Sequence, residues 1–402
     1  KGGNLPTDAK LIFRLNQSAP VAMSRDEQGW RGETPPKSIA GEYNIKVEAT
    51  LPDKRAYQRF ARLRVIQDGV PQPTWTTNLG GAIQSKLVRE GDTLYVSSMG
   101  GELFALDVKN GQEKWRYKTG GAIFSTPHVE NGTVYFGSAD HFVYAVESAT
   151  GKPKWKTKTG GAVFGGAAVA QGVVCIASVD TKIYGLEETT GKILWTGQGT
   201  GMYQSKVATD GARFFVGGWD NYFRAFSARH GQELWKNKFG RSFYYSPAIG
   251  SPTVGDGKVF VSSNDGVLHA MDAASGQVLW EVNGPALGYS GPLFREGKIY
   301  NGSLTDTGRV FSFEAANGAK LWDTPTGSVI YDSSSAWGQT PDGGNIYIGS
   351  VNGIFSAIRA GDGAMRWQSQ LAPGHVLASP TTNETHVFIG SMNGDVTAFP
   401  LQ

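Results

Sequence analysis

Four tyrosines, Tyr203, Tyr244, Tyr289 and Tyr331, recur at one position in four successive stretches of the chain, with Lys206, Phe243, Tyr245 and Asp332 close by. A phenol offers a flat apolar face and a hydroxyl; beside an ammonium and a carboxylate it makes a surface for binding rather than for bond making. Such amphipathic aromatics suit a partner segment or a small polar ligand. They equally suit packing between neighbouring sheets, with each hydroxyl bonded to a loop. Trp219, in Gly218-Trp219-Asp220-Asn221, is a second candidate contact, because an indole at the tip of a polar turn is exposed unless a partner covers it.

Reactive chemistry has little to work with. Cys175, the sole cysteine, lies in Val173-Val174-Cys175-Ile176 and reads as a small buried hydrophobe. One cysteine excludes disulfides within the chain and multi-cysteine metal sites. The histidines, His128, His141, His230, His269, His375 and His386, are scattered, and none forms a His-x-x-x-His pair. Asp140, Asp180, Asp220 and Asp265 recur at one turn, so turn chemistry accounts for them. No Gly-x-Ser-x-Gly elbow and no phosphate loop is present. The net charge of +3 comes without a Lys/Arg run, which gives no case for nucleic acid. No apolar run approaches the ~18 residues of a spanning helix.

The elements that hold these residues follow from an internal repeat. Trp75, Trp115, Trp155, Trp195, Trp235, Trp280, Trp322 and Trp367 stand 40, 40, 40, 40, 45, 42 and 45 residues apart. A glycine lies four residues before each of the last seven, from Gly111 to Gly363. Within 120–159, apolar runs 123–129, 134–138 and 142–146 and the stretch around Trp155 are separated by Asn131-Gly132, Asp140 and Thr150-Gly151. Four short strands joined by tight turns form an antiparallel meander. A sheet that small cannot bury its faces alone, so copies must stack around an axis; ~40–45 residues and four strands are propeller-blade arithmetic. The 55 glycines of the 402 residues serve those turns. The tryptophan column, repeated in every copy, belongs to the packing and not to a site.

The two ends complement each other. Trp75 has no turn glycine before it, and the last copy, through Ala398-Phe399, has no tryptophan strand after it. The strand around Trp75 is therefore expected to complete the last blade and hide both edges. The expected fold is all-β: an eight-bladed propeller of four-stranded antiparallel blades over 71–402. Its first strands would ring one mouth of the central channel and bring the tyrosines there.

Residues 1–70 fall outside the period. Lys10–Leu15, Tyr43–Ala49 and Phe60–Ile66 alternate as strands, and this stretch carries net +4 against −1 for the rest. The expectation is a partial immunoglobulin-like sandwich, with Asp68-Gly69-Val70-Pro71-Gln72-Pro73 as linker.

The repeat resembles the pyrroloquinoline-quinone (PQQ) propeller family across 73–402, most closely in Ala105-Leu106-Asp107…Gly111…Trp115 and Ala270-Met271-Asp272…Gly276…Trp280. That family includes quinoprotein alcohol dehydrogenases and non-enzymatic BamB-like propellers. The resemblance implies, for the enzymes, an adjacent cysteine pair beside the quinone and a calcium ion; one cysteine cannot supply the pair. The resemblance therefore implies a non-catalytic binding scaffold without PQQ or calcium. Its expected setting is the periplasm or cell exterior, as a monomer facing a protein or glycan partner. One alternative is the accessory tail of a larger secreted hydrolase of the calcineurin-like metallophosphoesterase type, which the N-terminal segment resembles. A PQQ-dependent dehydrogenase is the third reading.

Overall fold

Alternation sets the strands, and glycine sets the turns. In a computed structural model, which describes all residues but 1–8, 16–18, 27–28, 32–38, 241–249, 264, 288, 372–373 and 402, the repeat folds as expected. Strands His128–Glu130, Thr133–Gly137, Phe142–Glu147 and Pro153–Lys158 pair antiparallel in chain order. Thr133–Gly137 is buried throughout, whereas Pro153–Lys158 alternates between exposed and half-buried. The apolar core thus lies between successive sheets, and the outermost strands face solvent.

Each tryptophan is seated on the next unit. Trp115 lies over Gly151, whose φ of 70° favours glycine. A Cβ on Gly151 would also stand 2.5 Å from the indole Cε3. The Trp115 Nε1–H donates to the Ser148 carbonyl at 3.0 Å, fixing the ring. The same seat joins Trp75 to Gly111, Trp155 to Gly191, Trp195 to Gly231, Trp235 to Gly276, Trp280 to Gly318 and Trp322 to Gly363. No such glycine receives Trp367; the buried Nε1 atoms of Trp195 and Trp367 have no acceptor among the described residues. The glycine column therefore exists for two reasons: the turn and the indole.

Ring closure uses the N-terminal strand. Trp75–Asn78 pairs antiparallel with Asp395–Pro400, in the register Ala398↔Trp75 to Asp395↔Asn78. The blade is then Thr381–Thr382, His386–Gly390, Asp395–Pro400 and Trp75–Asn78.

The count of blades is corrected. Seven four-stranded sheets stand as discrete blades, not eight. The remaining repeat unit, strands 336–338, 345–349, 354–359 and 365–370, forms one half of an eight-stranded sheet. Its other half comes from the N-terminal region, where Ala40 and Gly41 pair in parallel with Ser369 and Gln370. A Cβ on Gly41 would fall 2.0 Å from the Gln370 carbonyl oxygen, so only glycine permits that approach. The composite sheet keeps the unit's place in the stack: Ile346, Ile348 and Ile358 pack with Tyr300 and Val310 of the preceding blade. On the other side Tyr347, Phe355 and Trp367 pack with Phe388 and Phe399 of the closing blade.

An immunoglobulin-like sandwich is not evident among the described residues of 1–70. Strands Lys10–Leu15, Ala40–Thr50 and Ala56–Val65 are real and antiparallel. They continue a propeller sheet, and one small hairpin, Ser24–Asp26 and Gly29–Arg31, packs Trp30 near Leu11 and Ala49. Among the described residues, no helix is long and apolar enough to cross a membrane.

Candidate ligand and partner site at the channel mouth

The residues that open each unit turn toward the ring axis and enclose a cavity of about 550 Å³. Of the sequence candidates, Lys206, Tyr289, Tyr331 and Asp332 line it. Tyr289 and Tyr331 stack, with ring centroids 4.6 Å apart and planes 17° from parallel. Tyr331 stays 41% exposed, available to a ligand. Its hydroxyl is pushed up to about 12 by burial and by its partner Tyr289. Asp332 accepts a hydrogen bond from Gln84 Nε2 at 2.5 Å. Burial raises its carboxyl, and the Gln84 bond opposes the rise.

Tyr203 is not at the mouth. It is fully buried in the core between blades, and its hydroxyl has no hydrogen-bond partner among the described residues. The cause is register. Tyr203 N–H bonds the Ser178 carbonyl, and the matching bond in the later unit is made by Ile330 to Ser303. Tyr331 therefore stands one residue beyond Tyr203's equivalent, and in extended backbone one residue reverses the direction of the side chain. Phe243, Tyr244 and Tyr245 lie outside the described residues. Trp219 is half-buried, where the turn had implied exposure. Its Nε1–H donates to Gln204 Oε1 at 2.7 Å, and Gln204 lines the cavity.

Sequence reasoning missed Lys86 as a site residue. The signal was present: Gln84-Ser85-Lys86 recurs as Gln204-Ser205-Lys206 and nowhere else in this column. Both lysines line the cavity. Burial pushes Lys206 down to about 8, with the Lys86 charge adding to it, and burial lowers Lys86 as well. His128, on the inner strand beside them, is held down to about 4 by burial and then by Lys206. Phe124 and Phe164 meet edge to face at 5.2 Å and complete an aromatic stretch of the wall.

Among the described residues, one arrangement has catalytic order, and it is structural. Ser263 Oγ lies 2.9 Å from His269 Nε2, and His269 Nδ1 lies 2.8 Å from Glu281 Oε1. That is the order of a Ser-His-acid triad. Ser263 is fully buried, however, and His269 is stacked on Phe239 at 3.9 Å. The positions also recur: Asp265 and His269, both bonded to Ser263, match Asp140 and Tyr144, Asp180 and Tyr184, and Asp220 and Arg224, and these last three pairs are bonded directly to each other. Asp140 and Asp180 further accept the backbone N–H of Gly120 and Gly160, at 2.8 and 2.9 Å. These groups hold turns.

The cavity suits a calcium-bound quinone poorly. Calcium takes about 6–8 oxygen ligands. The described wall offers one carboxylate, already tied to Gln84, and two ammonium groups that repel a cation. No group of three or more His, Cys, Asp or Glu converges among the described residues. Cys175 is buried in a blade core, where burial raises its thiol.

Comparison with known proteins agrees with this architecture. The chain is 26% identical over 230 residues to the outer membrane protein assembly factor BamB of Yersinia pestis, covering 51% of this chain and 56% of that protein. It is 27% identical over 190 residues to the quinohemoprotein alcohol dehydrogenase ADH IIB of Pseudomonas putida, covering 42% of this chain and 26% of the enzyme. The chain thus spans about half the length of the BamB relatives it matches. The crystal structure of BamB from Moraxella catarrhalis superposes with a TM-score of 0.68 at 18% identity, over 83% of this chain and all of that one, a likeness of fold. Three overlapping segments, 64–164, 139–242 and 220–402, match the family described as outer membrane protein assembly factor BamB. The chain belongs to the outer membrane protein assembly factor BamB family.

Proposed function

We propose that this chain is a non-catalytic scaffold of the bacterial envelope that assists outer-membrane protein assembly by holding a protein partner on its propeller. Membership of the BamB family, matched over 64–402, carries the reading. The channel supports it: a rigid wall of stacked tyrosines and paired phenylalanines presents contact area at low entropic cost. Quinoprotein relatives keep the dehydrogenase in view, but one buried cysteine and a cation-lined cavity argue against the quinone. The hydrolase-tail alternative gains no support from the relatives. Placement in the periplasm, facing the outer membrane, follows from the same proposal.

A photo-crosslinking residue in place of the exposed Tyr331 tests it in intact envelopes. A covalent adduct with a protein of the outer-membrane assembly machinery is expected. Adducts with lipid alone, or none while the chain is folded and abundant, would overturn the mouth as the contact face.

A further inference from the structure

The two channel lysines have a consequence that partner binding does not require. Lys86 and Lys206 reach the same cavity from units three places apart in the ring. Neither ammonium has a carboxylate or a hydrogen-bond acceptor against it among the described residues. Asp332, the one carboxylate of the described wall, is engaged by Gln84. A partly buried cation without a counter-ion is destabilising, and two close enough to repel one another are more so. An unpaired charge couple in a preformed cavity of about 550 Å³ is the arrangement expected of an anion site whose ligand supplies the missing charge. The remaining wall is neutral apart from Asp332, with serines, glycines and two aromatic pairs among its residues.

We propose that the channel binds a small dianion, with its charged oxygens between Lys86 and Lys206. Phosphate monoesters and dicarboxylates share that chemistry. A dianion matches the two ammonium charges, and the cavity admits a molecule of modest size against the Phe124–Phe164 pair. This site shares the channel wall with the proposed partner surface, but it rests on the two lysines and needs no protein partner.

Calorimetric titration of the full chain with inorganic phosphate and, separately, with succinate tests the site, at constant ionic strength held with chloride. Saturable one-to-one binding of at least one is expected, and the preferred anion identifies the source. Lys86→Met and Lys206→Met should each weaken that binding by about thirtyfold, the usual loss when one partner of a desolvated charge pair is removed. The preferred anion should also raise the thermal midpoint of the wild type, but not of either variant. No saturable binding of either anion, or equal affinity in folded variants, would overturn the proposal. Binding of a glutamate-rich peptide with none of the small anions would overturn it too, by making the channel a polypeptide site.

Discussion

Replacing Lys206 with methionine should stabilise the protein at neutral pH. Methionine keeps most of the apolar stem and removes the ammonium. Lys206 is held down to about 8 from an ordinary 10.5, by burial first and by Lys86 second. At about 1.4 kcal/mol per pH unit, that shift corresponds to roughly 3 kcal/mol of unfavourable charge burial. Residual contact with solvent in the channel screens part of it, so about 1–3 kcal/mol is the expected gain. The pH dependence gives the sharper test. The folded state loses the Lys206 proton near pH 8, the unfolded state near 10.5. Between those values the unfolded chain binds more protons, so wild-type stability rises with pH relative to the variant. The gap between Lys206→Met and wild type is therefore full below pH 8, shrinks between 8 and 10.5, and closes above. Urea unfolding followed by tryptophan fluorescence at pH 7, 9 and 10.5 measures it, with equal slopes confirming comparable unfolding. A variant less stable at pH 7, or a gap that does not change with pH, would refute the reasoning.

Three further outcomes follow. His128, held down to about 4 from 6.5 by burial and by Lys206, favours its neutral form in the fold. Its contribution is intact above pH 6.5 and is lost as pH falls toward 4, by about 2–3 kcal/mol, so His128→Gln should flatten the acid limb of stability between those values; an unchanged limb would exclude this histidine. Gly151→Ala places a methyl at positive φ and against Trp115, and should cost about 2–4 kcal/mol, read as a lower urea midpoint; a neutral effect would show that the indole seat yields. Incubation with PQQ and calcium, followed by dye reduction with alcohols, should give no turnover above a protein-free blank; sustained turnover would restore the dehydrogenase reading.

Much of the ring was legible in the sequence because each blade solves the same packing problem. The spacing from each Gly to the following Trp reflects one indole per interface and one turn that must receive it. Closure by Trp75 was legible for a related reason: each end lacked the part that the other carried. The channel residues Lys206, Tyr289, Tyr331 and Asp332 stood out as departures from the repeat. Tyr203 did not belong with them, since residue spacing alone leaves a one-residue slip between units invisible, and a slip reverses a strand's faces. The N-terminal strands were readable by alternation, but their partner was not. Two residue pairs, Ala40 with Ser369 and Gly41 with Gln370, join segments more than three hundred residues apart, and only the Gly41 approach to Gln370 makes that contact possible. For the same reason the discrete blades number seven: local pattern cannot say that one repeat unit will be annexed by strands from outside the period.

The assembly role is tested most directly in a bacterium that carries this chain. Its gene is deleted, and the amount of folded β-barrel protein in the outer membrane is measured by heat-modifiable mobility. A fall in folded barrels, restored by a plasmid copy, is the predicted result. Unchanged barrel levels in a strain that has lost the protein would contradict the account.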